Sequence, residues 1–365
     1  MSDDLADRIT NLPGYSIERE IGGGGMSRVF LAHEKALGRR VVIKVLEAAG
    51  ARVDAERFRR EVLLSARLTH PHIVPLLTAG EVDGLSYYIM PYVEGLSLRS
   101  RLRADGMLPV GEAIRLIRNV ASALACAHEQ GIIHRDIKPD NIIVTGGLAV
   151  VLDFGVSKAL AAATAAPVDG ITGAGLTIGT PRYMAPEQVV ADPNIDARAD
   201  LYALGVLAYE LLSGATPFGG NDPVRILRAH LAEAPAPLHS QRPGIPAAIA
   251  ALVMRCLEKD RTRRPQSATE VLDLLDAMAT PSGVRAPTFR EAAARSVAGV
   301  GAALIPAMFY LVACGAMIAG LHWLETHGQV GTRLLVLSVI VALLGLPVVV
   351  GLALVLGLKR AERSG

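Results

Sequence analysis

The sequence predicts an α+β chain in which a small β-rich lobe precedes a larger α-rich lobe and a C-terminal two-helix transmembrane hairpin. Within residues 15–278, short strand-like apolar runs come first and the later portion is helical in pattern. Two long stretches near the end contain no Asp, Glu, Lys or Arg. At 365 residues, the chain has room for one large two-lobed domain and an appendage.

The composition points to local apolarity and away from nucleic-acid binding. Hydrophobic residues make up 51% of the chain, although the charged fraction of 20% is close to normal for a soluble enzyme. The net charge is only +2 and no basic run interleaved with aromatics occurs, so nucleic acid is not an expected partner. Cys126, Cys256 and Cys314 are widely separated, which predicts reduced thiols rather than a zinc site or a disulfide framework.

The uncharged stretches at residues 296–324 and 334–358 are predicted to be transmembrane helices 1 and 2. Each exceeds the ~20 residues that a helix needs to cross the hydrocarbon layer. Two buried helices of a soluble domain are the alternative, but such helices normally keep a polar face, which these stretches lack.

Basic residues flank the two stretches, while the connection at residues 325–333 has one basic and one acidic residue. The flanking basic residues are Arg285, Arg290, Arg295, Lys359, Arg360 and Arg363. By the positive-inside rule both flanks are cytoplasmic, in agreement with a polar start that lacks a signal peptide. We therefore expect a multi-pass protein of the cell (inner) membrane, with a juxtamembrane linker at 279–295 and a cytoplasmic tail at 359–365.

A glycine cluster, IGGGGMSRVF, lies between two strand-like segments. Where side chains are absent, backbone N–H groups can approach a phosphate chain. The motif alone is weak, since many hairpins carry glycines. The candidate nucleotide-binding residues here are Ile21, Gly22, Gly23, Gly24, Gly25, Met26, Ser27 and Val29.

Lys44 ends an otherwise apolar strand, where an unpaired charge would be costly to bury. Glu61 is its expected partner, in a segment of helical spacing, residues 54–68, that Asp54 opens as a candidate N-cap. Without further motifs, a solvated lysine and a surface glutamate would be the preferred interpretation.

The octet HRDIKPDN at residues 134–141 places an aspartate, a lysine and an asparagine on one loop. Their charges fit phosphoryl transfer. Asp136 would accept or orient the proton of an attacking hydroxyl, Lys138 would neutralise a γ-phosphate, and Asn141 would help to hold magnesium. Asp153, which opens an Asp-Phe-Gly triplet after an apolar run, is the expected principal magnesium ligand.

In order and spacing these motifs resemble the bacterial eukaryotic-like (Hanks-type) serine/threonine protein kinases, over residues 15 to about 278. The resemblance implies a bilobal protein kinase fold, ATP and Mg²⁺ as cofactors, and Ser/Thr hydroxyls of proteins as acceptors. Gly22 and Gly24 match the first two glycines of the family loop, whereas Ser27 stands where the third usually lies. Lys138 and Thr180 are similar to the residues of the serine/threonine branch.

The same resemblance implies further roles. Met90 looks like the gatekeeper, and residues 91–93, including Tyr92 and Val93, look like a hinge whose backbone would bind adenine. Glu94 would contact ribose. Residues 179–187 resemble the end of an activation segment, Asp200 resembles a buried aspartate that braces the catalytic loop, and Arg264 is the expected ion-pair partner of Glu187.

Regulation is predicted from Arg135, because a guanidinium directly before the catalytic aspartate can bind a phosphate on the activation segment. Thr172 and Thr177 are the candidate phosphosites, and Thr164 is also available. Concentration in the membrane plane would favour trans-autophosphorylation, and small residues such as Gly315 and Gly320 leave a homodimer open.

Three rival interpretations make different demands on the sequence. A pseudokinase would lack one of Lys44, Glu61, Asp136, Asn141 or Asp153, and all are present. A small-molecule phosphotransferase would not need the peptide-docking segment at 179–187. A pore or lipid-binding hairpin with a kinase attached would be expected to carry intramembrane charges, which both stretches lack.

Overall fold

A computed structural model of the protein describes residues 9, 12–24, 27–46, 62, 65–154, 180–279 and 319. The chain divides into two compact units, Met1–Pro281 and Ser282–Gly365. Apart from position 319, both predicted transmembrane stretches fall outside the described residues, as does the tail. Within the described part of the chain, no helix is both long enough and apolar enough to span a bilayer.

The first lobe is built on an antiparallel sheet with the strand order β1-β2-β3-β5-β4. The strands are rich in β-branched and aromatic residues, which fit a pleated surface. They are β1 (Tyr15–Gly24), β2 (Ser27–Glu34), β3 (Arg39–Leu46), β4 (Thr78–Val82) and β5 (Leu85–Pro91). The strand-like runs at the start of the sequence are thus confirmed, and the glycines lie where β1 turns into β2.

Both faces of this sheet are covered. Val41 and Ile43 point to the outer cluster, which also contains Ile9 and Phe30. Because side chains alternate along a strand, Val42 and Lys44 lie on the opposite face. Across the β3–β5 ladder, Lys44 stands opposite Tyr88 and Val42 stands opposite Met90. This second face carries the residues that line the cleft between the lobes.

The second lobe is mainly helical. Its helices are α1 (Leu98–Asp105), α2 (Val110–Glu129), α3 (Pro186–Val189), α4 (Arg198–Ser213), α5 (Pro223–Ala232), α6 (Leu238–Gln241), α7 (Ala247–Cys256) and α8 (Ala268–Ala279). Helix α4 is buried on nearly all sides, as its continuous apolar sequence requires, and it ends at Gly214 in the left-handed conformation. The fold therefore has a β-rich lobe followed by an α-rich lobe, as predicted.

A small sheet at the top of the second lobe positions the chemical residues. Its strands, in the order β6-β7-β8, are β6 (Leu96–Ser97), β7 (Ile142–Thr145) and β8 (Leu148–Val151). The HRDIKPDN loop lies between α2 and β7, and Asp153 follows β8. Leu152 N donates a hydrogen bond to Asn141 O at 2.9 Å, which keeps these two segments side by side.

Candidate active site

The loop at residues 134–141 is held in place by hydrogen bonds to the buried carboxylate of Asp200 on α4. The backbone amides of His134 and Arg135 each donate to one of its oxygens at 2.8 Å, and His128 Nε2 donates at 2.8 Å. Burial alone raises the pKa of Asp200, but the bonds from His128 and from the amide of His134 outweigh it, so the pKa lies below its ordinary value. The predicted bracing contact is confirmed.

His134 connects the loop to the strand that leads to Asp153. Its Nε2 donates to Leu152 O at 2.8 Å, while its Nδ1 accepts from the amide of Asp136 at 3.2 Å. The ring also meets Phe154 edge-on, with centroids 4.6 Å apart. A neutral imidazole with the proton on Nε2 satisfies both hydrogen bonds.

Two of the three predicted catalytic-loop residues, Lys138 and Asn141, contact the carboxylate of the third, Asp136. Asn141 Nδ2 donates to the Oδ2 of Asp136 at 2.9 Å and to its backbone oxygen at 2.8 Å. Lys138 Nζ lies 2.8 Å from the same Oδ2. The amide nitrogen of Asn141 is thereby committed to Asp136, which turns the amide oxygen into the atom available to a cation.

Asp153 meets Lys44 across the cleft. Lys44 Nζ donates to Asp153 Oδ2 at 2.6 Å, and the hydroxyl of Tyr88 donates to Oδ1 at 2.7 Å. Burial raises the pKa of Asp153, but the Lys44 charge and the two hydrogen bonds outweigh it, so the carboxyl keeps a lowered pKa and is ionised at neutral pH. The expected partner of Lys44, Glu61, falls outside the described residues.

Tyr88 was not anticipated from the sequence. Its signal was available in part, because β5 places a tyrosine two residues before Met90 and therefore on the same face. What the sequence does not give is the β3–β5 register that sets Tyr88 opposite Lys44.

Two residues of the site have strained backbones. Arg135 and Asp153 adopt φ values of 67° and 62°, in the left-handed region that costs a non-glycine residue about 1–3 kcal/mol. The Asp200 contacts hold the first, and the Lys44 and Tyr88 contacts hold the side chain of the second. Such strain persists where surrounding contacts over-determine it, which is typical of functional sites.

A group of apolar side chains, the apolar bed, lies beside the polar side chains of the site. Val29, Tyr92, Val93, Val150 and Leu152 pack around the cleft face of the first sheet. The glycine-rich segment pairs with β2 next to the β1–β2 turn, where Gly24 stands opposite Ser27 and Gly22 opposite Val29. Gly25 and Met26, between Gly24 and Ser27, fall outside the described residues.

The proposed hinge and ribose positions lie at the end of β5. Pro91 ends that strand, and its carbonyl remains although it has no amide to donate. Met90 is buried at 6% exposure. Glu94, the expected ribose contact, forms an exposed ion pair with Arg40 at 2.6 Å.

The donor set fits the expected cofactors. The carboxylate of Asp153 and the amide oxygen of Asn141 are hard oxygen donors of the kind magnesium prefers, on segments joined by the Leu152–Asn141 hydrogen bond. Lys44 and Lys138 supply positive charge for phosphate oxygens, and the apolar bed suits a purine ring.

Comparison with known proteins identifies the family. The family model described as "protein kinase domain" matches residues 15–274. The chain belongs to the protein kinase domain family. The bacterial serine/threonine protein kinases that the motifs resemble are among its relatives.

Serine/threonine-protein kinase pkn2 of Myxococcus xanthus is 41% identical over 274 residues, which cover 72% of this chain and 32% of the relative. Serine/threonine-protein kinase PknB of Mycobacterium leprae is 40% identical over 264 residues, covering 70% and 42%. A probable serine/threonine-protein kinase of Clostridium perfringens is 37% identical over 265 residues, covering 72% and 38%. The chain thus matches about a third to two fifths of the length of these relatives.

The end of the activation segment of this kinase domain is fixed by a buried ion pair. Arg264, with 0% exposure, donates from Nη1 and Nη2 to the two carboxylate oxygens of Glu187 at 2.7 and 2.9 Å. This predicted pair is confirmed. Arg264 also donates to three backbone carbonyls, of Arg198, Glu258 and Lys259, so that α3, α4 and the turn before α8 meet at one guanidinium. Thr164, Thr172 and Thr177 fall outside the described residues.

Replacing Arg264 with methionine should destabilise the kinase domain strongly. Glu187 would be left as an unpaired buried carboxylate, at a cost of about 3–5 kcal/mol in the free energy of unfolding. Urea unfolding of the full chain, followed by circular dichroism, measures this loss.

Arg263→Met is the matched control for this experiment. Its side chain is 69% exposed and lies 3.6 Å from Glu258, so the change should stay below about 0.5 kcal/mol. Equal effects of the two substitutions would contradict the structural role assigned to the buried pair.

Proposed function

We propose that the protein is an ATP-dependent serine/threonine protein kinase of a signalling pathway, which also phosphorylates its own activation segment. The observation that carries this proposal is the convergence of Lys138 and Asn141 on the Asp136 carboxylate, together with the contact that Asp153 makes across the cleft with Lys44. These are the groups that a phosphoryl transfer needs, at hydrogen-bonding distances.

Each residue has a separate task in the proposed mechanism. Asp136 orients the acceptor hydroxyl and takes its proton, and Lys138 stabilises the negative charge that develops on the transferring group. Asp153 and Asn141 would hold magnesium, whose charge would offset that of the phosphate oxygens of ATP. Lys44 would orient the nucleotide phosphates, with Glu61 as its expected partner.

Protein hydroxyls are favoured as acceptors for two reasons. The relatives are named serine/threonine-protein kinases, and they match this chain through the whole catalytic region. The ordered segment from Arg182 to Glu187 packs on α4 and α5, where His230 Nε2 donates to Arg182 O at 3.0 Å. A fixed platform beside the catalytic loop suits an extended polypeptide better than a small molecule.

Asp136→Asn and Lys44→Met should each reduce transfer of labelled γ-phosphate to protein by about 100-fold or more, since each removes a group that acts on the reacting atoms. The assay uses the full chain, ATP with magnesium, and dephosphorylated casein as the acceptor. The label should appear on serine and threonine.

Asp140→Asn and Lys35→Met are matched controls, because Asp140 is a half-exposed carboxylate of the same loop and Lys35 is an exposed lysine after β2. Both should retain transfer within a few-fold of the natural chain. A folded natural chain that binds ATP without transferring phosphate would support the pseudokinase alternative. Label on small molecules alone would support the phosphotransferase alternative.

Activation by phosphorylation is proposed from Arg135. Its Nε is buried and, among the described residues, has no hydrogen-bond partner, while its backbone is held by Asp200 and by Gln188 Nε2, which donates to Arg135 O at 2.9 Å. A guanidinium on a fixed backbone, with an Nε that has no partner among the described residues, is suited to a phosphothreonine.

Joint replacement of Thr172 and Thr177 by alanine should abolish autophosphorylation of the activation segment and lower the rate on casein about tenfold or more, as expected for loss of a charge-assisted pair. Phosphosite mapping and initial rates measure both effects. Thr164→Ala leaves both candidate phosphosites in place, so this single variant should keep its rate on casein within a few-fold of the natural chain. An unchanged rate in the double variant would count against this route of activation.

We further propose that residues 296–324 and 334–358 anchor the kinase in the cell membrane as a hairpin, with the kinase domain and the C-terminus cytoplasmic. The support is the length of the two uncharged stretches and the basic residues on both flanks. After alkaline washing, the full chain should sediment with membranes, whereas a chain ending at residue 294 should not. Release of the full chain into the supernatant would refute the anchor.

Membrane anchoring would also raise the local concentration of kinase and favour trans-autophosphorylation, with or without a stable homodimer. Autophosphorylation per molecule should therefore rise with the surface density of the full chain in lipid vesicles. A rate independent of density would contradict the trans mechanism.

A further inference from the structure

Tyr88 places a phenol directly behind the proposed magnesium ligand. The residue is 1% exposed, and its hydroxyl donates to Asp153 Oδ1 at 2.7 Å. Lys44 Nζ, which holds Oδ2 of the same carboxylate, lies 5.8 Å from the centroid of the Tyr88 ring. One side chain therefore supports both members of the Lys44–Asp153 pair.

The two hydrogen bonds fix the orientation of the carboxylate plane. Each carboxylate oxygen can accept more than one hydrogen bond or coordinate a cation in addition to one hydrogen bond. With Tyr88 on Oδ1 and Lys44 on Oδ2, rotation of the carboxylate would break at least one of them. Asp153 also has a φ of 62°, and such backbone strain persists where surrounding contacts over-determine it.

The surroundings of Tyr88 favour the orientation of Asp153 that keeps this hydrogen bond. Apart from Tyr88 and Asp153 themselves, the small cavity is lined mainly by apolar side chains, those of Ile73, Val74, Leu76, Met90 and Phe154, with Ser65 as a further polar residue. If Asp153 turned away, the phenol would lose a charged acceptor in a largely apolar pocket, which is unfavourable. An ionised carboxylate offers only acceptors, so the Tyr88 hydroxyl is the donor in this hydrogen bond.

We propose that Tyr88 is a positioning residue for the metal site, which holds the Asp153 carboxylate in the orientation that binds the divalent cation. This inference rests on the proposed function, since it assumes that Asp153 is a metal ligand. Two other roles of Tyr88 predict either the opposite change in metal affinity or no change. The phenol could act as a brake that withholds Asp153 from the metal, or the ring could merely fill space.

Tyr88→Phe separates these roles because it keeps the ring and removes the hydroxyl. We measure the dissociation constant of Mn²⁺ for the full chain at saturating ADP, from the electron paramagnetic resonance signal of free Mn²⁺. Positioning residues behind a metal ligand typically change metal affinity by about 10- to 100-fold, and we expect weakening in that range. The phosphotransfer rate should fall at low magnesium and recover as magnesium is raised.

Tyr87→Phe is the matched control. Tyr87 is the neighbouring residue on β5, paired with Val45, and its side chain packs against the outer cluster of the sheet. The same hydroxyl deletion there should leave the Mn²⁺ dissociation constant within about twofold, as is usual for a change away from the metal's supporting contacts. If Tyr88→Phe fails to fold, Tyr88→Met supplies a second side chain without a hydroxyl that can fill the pocket.

The outcomes are distinct. An unchanged Mn²⁺ dissociation constant in folded Tyr88→Phe would overturn the proposal and leave a space-filling role. Tighter Mn²⁺ binding, or faster transfer at low magnesium, would overturn it in favour of the brake. A natural chain that neither binds Mn²⁺ with ADP nor transfers phosphate would instead contradict the proposed function on which the inference rests.

Discussion

The buried carboxylate of Asp200 is the constraint on which the catalytic side of the molecule depends. It is 1% exposed and accepts from two consecutive backbone amides and from His128. An ionised carboxylate in such a place is tolerable only when hydrogen bonds offset its desolvation, and here they do. In return, Asp200 fixes Arg135 in a left-handed conformation, and the next residue, Asp136, is directed into the cleft with Lys138 and Asn141.

A second constraint couples the two sides of the cleft. Lys44 comes from the β-rich lobe and Asp153 follows β8 of the helical lobe, 109 residues later, and their hydrogen bond of 2.6 Å is reinforced by Tyr88. The fold thus brings the proposed metal ligand and the proposed phosphate-binding lysine into direct contact. In the proposed mechanism these two charges are already oriented towards the cleft, which would lower the reorganisation that phosphoryl transfer requires.

The catalytic residues can be predicted from the sequence where a short motif contains them. The octet at 134–141, Asp153, and the Glu187–Arg264 pair lie in patterns whose residue types serve few other purposes. Contacts that depend on how separate segments pair or pack in the fold cannot be predicted in this way. The Tyr88 hydroxyl reaches Asp153 only because β3 and β5 pair as they do, and Arg99 meets Tyr183 and Glu210 from three separate segments. No local pattern encodes such contacts.

The most direct test of this account is amide hydrogen exchange in the full chain, comparing the natural protein with Asp200→Asn. An asparagine side chain can accept through one oxygen only, so at least one of the amides of His134 and Arg135 loses its acceptor. The account predicts faster exchange confined to residues 134–141, together with slower phosphoryl transfer. Unchanged protection of those amides and an unchanged rate would contradict it.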